Sequence, residues 1–209
     1  MTETSPLSTQ TCRDDSLYRR TATVGTVHPH VEIAVVDPIT DQTVARGEIG
    51  ELRVRGYSVM HGYWNHPEAT AAAIDASGWM HTGDLAAMDA DGYVSIMGRI
   101  KDMIIRGGEN IYPSEIENAL GEHPDVHTVQ VVGVPDEKYG EQVMAWVQAH
   151  PGAAIDPEEI KNHCRARLAH YKVPRFVHLM EPDEQFPMTV TGKVQKNELR
   201  KRAADLINP

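Results

Sequence analysis

Three short polar clusters carry the residue types that could do chemistry in this chain. Thr82-Gly83-Asp84 follows Trp79 and places a hydroxyl, a glycine and a carboxylate in a row. By itself it reads as a turn in which Asp84 bonds its own backbone. Gly107-Gly108 reads as a flexible turn. Thr191-Gly192-Lys193 resembles the end of a phosphate loop, but the chain has no G-x-x-x-x-G-K-[ST] frame, which excludes a P-loop. Taken singly, Lys193 is a solvated loop lysine, and Lys196, Arg200, Lys201 and Arg202 are the wet face of a last helix. The two cysteines, Cys12 and Cys164, have no neighbour at metal-ligand spacing and are read as reduced and structural. The eleven histidines are scattered along the chain and are read as solvated or packed, with no metal site among them.

The elements that must position these clusters fall into two sets. From Val31 to Met97 the signals are mostly β. His30–Val36 reads as a strand ended by Asp37-Pro38, and Gly50–Gly56 alternates apolar and charged residues. Leu85–Met88 and Tyr93–Met97 flank Asp89-Ala90-Asp91-Gly92, a hairpin turn with glycine where positive φ is needed. A short helix spans Pro67–Ile74, with proline in its first turn. Short strands with regular turns predict a barrel-like subdomain.

After Arg99 strands alternate with helices. Ser114–Leu120 is a helix stopped by Gly121, Thr128–Val134 and Val143–Ala149 are strands, and Asp156 caps a helix that begins at Pro157. Ile160, Cys164 and Leu168 form its buried stripe. Phe176–Met180 is a strand, and Asn197–Ile207 a helix with Leu199, Ala203 and Leu206 facing inward. The fold class is α+β, with a β-rich part over residues 1–98, a hinge at 99–102 and a compact α+β domain over 103–209.

Bulk properties narrow the function. With 209 residues, 41% hydrophobic and 24% charged, the chain has an ordinary globular composition. A formal charge of −10 argues against a nucleic-acid binder, though a few local cations can still hold a small anion. No apolar run is long enough to span a bilayer and the first residues lack the parts of a signal peptide, so the expected compartment is the cytoplasm.

Order changes the reading of the clusters. Gly50-Glu51-Leu52, Gly56, Gly62-Tyr63-Trp64, Trp79–Leu85 and Gly92-Tyr93 come in sequence. Gly98–Ile104, Gly107-Gly108-Glu109-Asn110-Ile111-Tyr112-Pro113, Ser114-Glu115-Ile116-Glu117 and Pro187–Lys193 follow. This series resembles the adenylate-forming superfamily, which includes acyl-CoA synthetases, aryl-CoA ligases, luciferases and peptide-synthetase adenylation domains. The resemblance covers nearly the whole chain and is strongest to medium-chain fatty-acyl-CoA ligases. It implies the last subdomain of the family's large AMP-binding domain, followed by its small mobile C-terminal domain.

The resemblance also implies roles. The family's enzymes form an acyl-adenylate from a carboxylic acid and ATP, then an acyl-CoA thioester with release of AMP. Thr2 matches a contact to the α-phosphate, and Glu3 the Mg²⁺ ligand. Asp84 matches an acceptor for both ribose hydroxyls, and Arg99 a donor near the same ribose. Lys193 matches the catalytic lysine that bridges the acyl carboxylate and α-phosphate, and Lys101 the hinge. Gly107 and Gly108 match the loop that meets the pantetheine arm of CoA once the C-terminal domain has swung. Before Met1 the family carries an aromatic-glycine pair and, further upstream, the Ser/Thr/Gly-rich phosphate loop and the acyl pocket. The expectation is therefore a fragment of a fatty-acid–CoA ligase, inactive alone. The alternatives are a non-catalytic remnant or binding module that pairs with a separate N-terminal half, and a piece of an aryl-acid CoA ligase.

Overall fold

The computed structural model describes residues 1–181 and 183–207, in two compact units, Met1–Lys101 and Asp102–Pro209. In the first, β1 (Thr9–Gln10) pairs antiparallel with β2 (Thr26–Val27), and between them lies α1 (Leu17–Ala22), whose N-cap Ser16 accepts the Arg19 amide. A separate antiparallel meander follows: β3 (Val31–Val36), β4 (Ile49–Gly56), β5 (Met80–Met88) and β6 (Val94–Arg99), in that spatial order, with α2 (Pro67–Ala73) between β4 and β5. Val31, Val35, Leu52, Val54, Met80, Ala86, Met88 and Val94 form its core.

The expected barrel is corrected to an open sheet. β3 and β6 are its edges and do not pair, so nothing supplies the closing ladder a barrel requires. The β5–β6 turn forms as the sequence demands. Gly92 has φ 88°, and the Asp89 carboxylate accepts the amides of Asp91 and Tyr93.

In the second unit, β7 (Ile104–Arg106) and β8 (Glu109–Ile111) make a tight hairpin before α3 (Pro113–Gly121). β9 (Val126–Asp136) and β10 (Gly140–Ala149) form a long antiparallel hairpin. α4 (Pro157–Arg165) then crosses to β11 (Phe176–Leu179), which pairs parallel with β10, and α5 (Lys196–Ile207) ends the unit.

The period-2 pattern explains the unbroken apolar runs of β9 and β10. Val129, Val131, Ala145 and Val147 pack with Ile116 and Leu120 of α3 and Ile160 and Cys164 of α4. Val132, Val134, Met144 and Trp146 pack with Leu199 and Ala203 of α5. Helices thus supply a core on both faces of the hairpin, and its central stretches, Val131–Val134 and Val143–Val147, are continuously apolar.

The cap of α4 is as read: the Asp156 side chain accepts the Glu158 amide at 2.6 Å, and Pro157 opens the first turn. Three local readings change. Gly121 is the last residue of α3 instead of its stop. Leu168 packs against the core from beyond the end of α4, and Leu206 is half exposed. Cys164 is buried, whereas Cys12 is exposed and so holds no core together. Among the described residues, no helix is long and apolar enough to cross a membrane.

Candidate active site

Asp84 sits where the β4–β5 ladder is broken. Arg53 pairs with His81, and Glu51 pairs with Leu85, so Leu52 alone faces Thr82, Gly83 and Asp84. The surplus residues make a bulge, which turns side chains away from the regular pleat. Gly83 takes φ 68°, a conformation that suits a residue without Cβ.

Side chains satisfy the amides that the bulge frees. The Gly83 amide donates to Glu51 Oε1 at 3.2 Å, and the Asp84 amide to Thr82 Oγ1 at 3.1 Å. Thr82 Oγ1 in turn donates to the Leu52 carbonyl at 2.5 Å. On its other flank Asp84 pairs with Arg99 of β6, whose Nε lies 2.7 Å from Asp84 Oδ1.

Asp84, Thr82 and residues of the N-terminal turn line one cleft of about 240 Å³, with Met1, Thr4, Leu52, Val54 and Ile96 in its wall. Thr2 and Glu3 belong to that 3₁₀ turn, Thr2–Thr4, without lining the cleft themselves. The Met60 amide donates to the Glu3 carbonyl at 2.8 Å, and Tyr63 Oη donates to Glu3 Oε1 at 3.2 Å. Burial, then the Glu3 carboxylate, push the Tyr63 phenol up, which keeps it a donor. Among the described residues no three His, Cys, Asp or Glu side chains gather into a metal cage. Glu3 fits a hard cation only as a single carboxylate ligand, the remaining oxygens coming from phosphate and water.

The second unit carries the other candidates. Gly107 and Gly108, with φ 60° and 88°, form the two-residue turn of the β7–β8 hairpin, the primed geometry that glycine favours. The Gly107 amide donates to the Tyr139 carbonyl at 2.8 Å, and a Cβ on Gly107 would lie 3.1 Å from the Tyr139 ring. A Cβ on Gly108 would meet nothing within 4 Å, so only its backbone demands glycine inside this unit.

Lys193 stands on an exposed hairpin tip. Thr189 and Lys193 exchange backbone and hydroxyl bonds, Gly192 supplies φ 77°, and Met188 bridges to Val194. Its ammonium forms no ion pair among the described residues, while the neighbouring Lys196 is tied to Glu117 at 2.6 Å. Lys196 is therefore a structural lysine and not wet helix surface. Lys101 is the last residue of the first unit, in the 3₁₀ turn Ile100–Asp102.

Sequence reasoning overlooked two groups. One is Glu51, buried at 5% exposure among the charged positions of the alternating β4 pattern. The other is a pocket of about 280 Å³ where Arg106, Lys161, Arg165, His170 and Arg175 gather around Gln142 and Glu158. Those cations are scattered over seventy positions of sequence, and only the sheet assembles them.

Comparison with known proteins places the chain in a family. The AMP-binding enzyme family matches residues 1–64, and the AMP-binding enzyme C-terminal domain matches residues 115–193. A putative acyl-CoA synthetase of Bacillus subtilis is 50% identical over 207 residues, 99% of this chain and 37% of that protein. The mitochondrial medium-chain acyl-CoA ligase of Danio rerio is 48% identical over 96% of this chain and 33% of its own length. Among solved structures, ATP-bound MatB from Rhodopseudomonas palustris superposes with a TM-score of 0.90 at 39% identity, covering 99% of this chain and 40% of that one. The o-succinylbenzoate CoA synthetase of Bacillus subtilis with its acyl-adenylate gives 0.85 at 32%, over 96% of this chain and 40% of that one. The chain thus spans about a third to two fifths of the length of these relatives.

Proposed function

The chain belongs to the AMP-binding enzyme family, and from that premise we propose that it supplies the ribose-binding and mobile catalytic parts of an ATP-dependent fatty-acid–CoA ligase. The observation that carries this reading is the bulge at Thr82–Asp84, which sets Asp84, whose carboxylate only accepts and is paired with Arg99, in the lining of a cleft.

In the first half-reaction a carboxylate oxygen of the acid attacks the α-phosphorus of ATP and the bond to pyrophosphate breaks. Asp84 accepts the ribose hydroxyls and Arg99 orients it. Lys193 holds the acyl carboxylate and the α-phosphate together and offsets the negative charge that concentrates on the phosphoryl oxygens. Mg²⁺ would neutralise phosphate charge, and Glu3, which accepts from Tyr63, would be the protein ligand that holds it; Thr2 would add a contact near the α-phosphate. In the second half-reaction the CoA thiolate attacks the acyl carbonyl and AMP leaves. The Gly107-Gly108 turn, which has open space above Gly108, borders the pantetheine arm. The cationic pocket around Arg106, Arg165 and Arg175 receives the phosphates of CoA. Lys101 is the hinge between the two arrangements. The phosphate loop and acyl pocket come from a region equivalent to the remainder of the relatives. The relative from Danio rerio supports a medium-chain fatty acid as substrate.

The test is a graft of this chain onto the matching remainder of the Bacillus subtilis relative. The graft releases pyrophosphate when given a medium-chain fatty acid and ATP, and Asp84→Ala lowers that rate by about 10²-fold, the scale of losing one positioned group. This chain alone releases none. Fatty-acid-dependent pyrophosphate release by the chain alone, or an Asp84→Ala graft as fast as its parent, contradicts the reading.

A further inference from the structure

We propose that Glu51 is the positioning residue for Asp84, a buried carboxylate that fixes the bulge on which the ribose acceptor stands. The proposal rests on the reading of Asp84 given above and adds a residue to it.

The Glu51 carboxylate only accepts, so each group facing it donates, His81 in the tautomer with its hydrogen on Nδ1. Oε1 accepts the Gly83 amide at 3.2 Å, and Oε2 accepts Arg53 Nε at 3.0 Å and His81 Nδ1 at 3.2 Å. Glu51 is 5% exposed and Arg53 8%, so the ion pair between them is held away from solvent, with His81 at its outer side. Arg53 also pairs with Asp41 at 2.5 Å, which leaves its charge matched on both sides. A buried carboxylate with three satisfied donors is costly to lose, because the buried Arg53 then loses one of its two carboxylates and the part-buried Gly83 amide its partner.

The position of these bonds matters as much as their number. Gly83 is the middle residue of the bulge, lies next to Asp84, and has no β4 residue in register with it. Without Glu51 its amide has no partner, and φ at a glycine is free to move. Thr82 holds only the following amide, at Asp84 itself. Glu51 therefore sets where the peptide before Asp84 lies, and with it the direction of the Asp84 side chain.

Glu51→Gln is the decisive variant because it keeps volume and shape. Glutamine has one acceptor oxygen and one donor NH₂, while all three neighbours donate. The oxygen goes to the charged Arg53, which turns the NH₂ toward the Gly83 amide. Hydrogen exchange on the ¹⁵N-labelled full chain reads this directly. The Gly83 amide is protected in the parent and exchanges at least tenfold faster in Glu51→Gln, while amides of the β5–β6 ladder away from the bulge are unchanged. Unchanged Gly83 exchange in the variant overturns the proposal. So does uniform acceleration across the first unit, which would make Glu51 a prop of the whole sheet.

A second readout separates this proposal from the reading beneath it. In the graft, the parent prefers ATP to 2′-deoxy-ATP by at least tenfold in kcat/KM, and Glu51→Gln erodes that preference more than a purely structural loss, which lowers both rates together. A parent without ribose preference sinks the reading of Asp84, whereas the Gly83 exchange result still decides the role of Glu51. A full ribose preference retained in Glu51→Gln overturns the positioning proposal.

Discussion

Cys164 and Cys12 show how one residue type diverges with its surroundings. Cys164 sits in the core between α4 and the β9–β10 hairpin, and burial pushes its thiol up to about 11. Cys12 is exposed in the first unit. Thiolate is the reactive form, so a native protein at pH 8 takes up one equivalent of an alkylating reagent, at Cys12, and a second only on denaturation. Two equivalents reacting at one rate would contradict the burial of Cys164. The sequence offered Cys164 as part of an i, i+4 apolar stripe, which made its burial legible. The pairing of Glu51 was not legible in the same way. Alternation along Gly50–Gly56 told which residues share a face of β4, but whether that face is wet depends on what crosses it. His81 and Gly83 reach Glu51 only through a bulge thirty residues away, and a bulge shifts register without leaving a local pattern.

At the scale of elements, the β9–β10 turn links a carboxylate to the glycine turn. Asp136 accepts the Tyr139 amide at 2.8 Å and the Lys138 amide at 3.1 Å, and these bonds, the first foremost, hold its carboxyl below the ordinary 3.8. The Tyr139 carbonyl then accepts the Gly107 amide. Because the folded value is depressed, Asp136 stabilises the turn fully above its unfolded value and loses that contribution as pH falls through the folded one. The Tyr139 and Gly107 amides therefore lose exchange protection together below pH 3.8, and Asp136→Asn removes that pH dependence. Independent behaviour of the two amides would break the link. The long helices and both hydrophobic strands of the second unit were readable because period and capping speak locally, as at Asp156-Pro157. The β7–β8 hairpin was not. Its strands are three residues each, too short for a period, and only the glycine pair marked the place.

The whole molecule divides into units of different self-sufficiency. The second unit covers its sheet on both faces with its own helices. The first leaves Leu17, Tyr18, Ile39, Tyr57 and Trp64 more than seven-tenths exposed, whereas among the described large hydrophobics of the second only Val190 is as open. Limited proteolysis therefore yields a resistant fragment that begins within residues 99–102, and uniform resistance from residue 20 onward would contradict this difference. In the function proposed above, Lys193 and the Gly107-Gly108 turn serve different half-reactions. In the Bacillus subtilis graft, pyrophosphate release and thioester formation from a supplied acyl-adenylate are measured separately for Lys193→Ala, Gly108→Leu and Gly108→Ala. Lys193→Ala loses about 10²-fold or more of the first and keeps the second, by the loss of a group that meets the phosphoryl charge. Gly108→Leu keeps the first and loses the second, beyond what Gly108→Ala loses from the same strain at φ 88° without the bulk. Lys193→Ala and Gly108→Leu damaging the same half-reaction would contradict the claim.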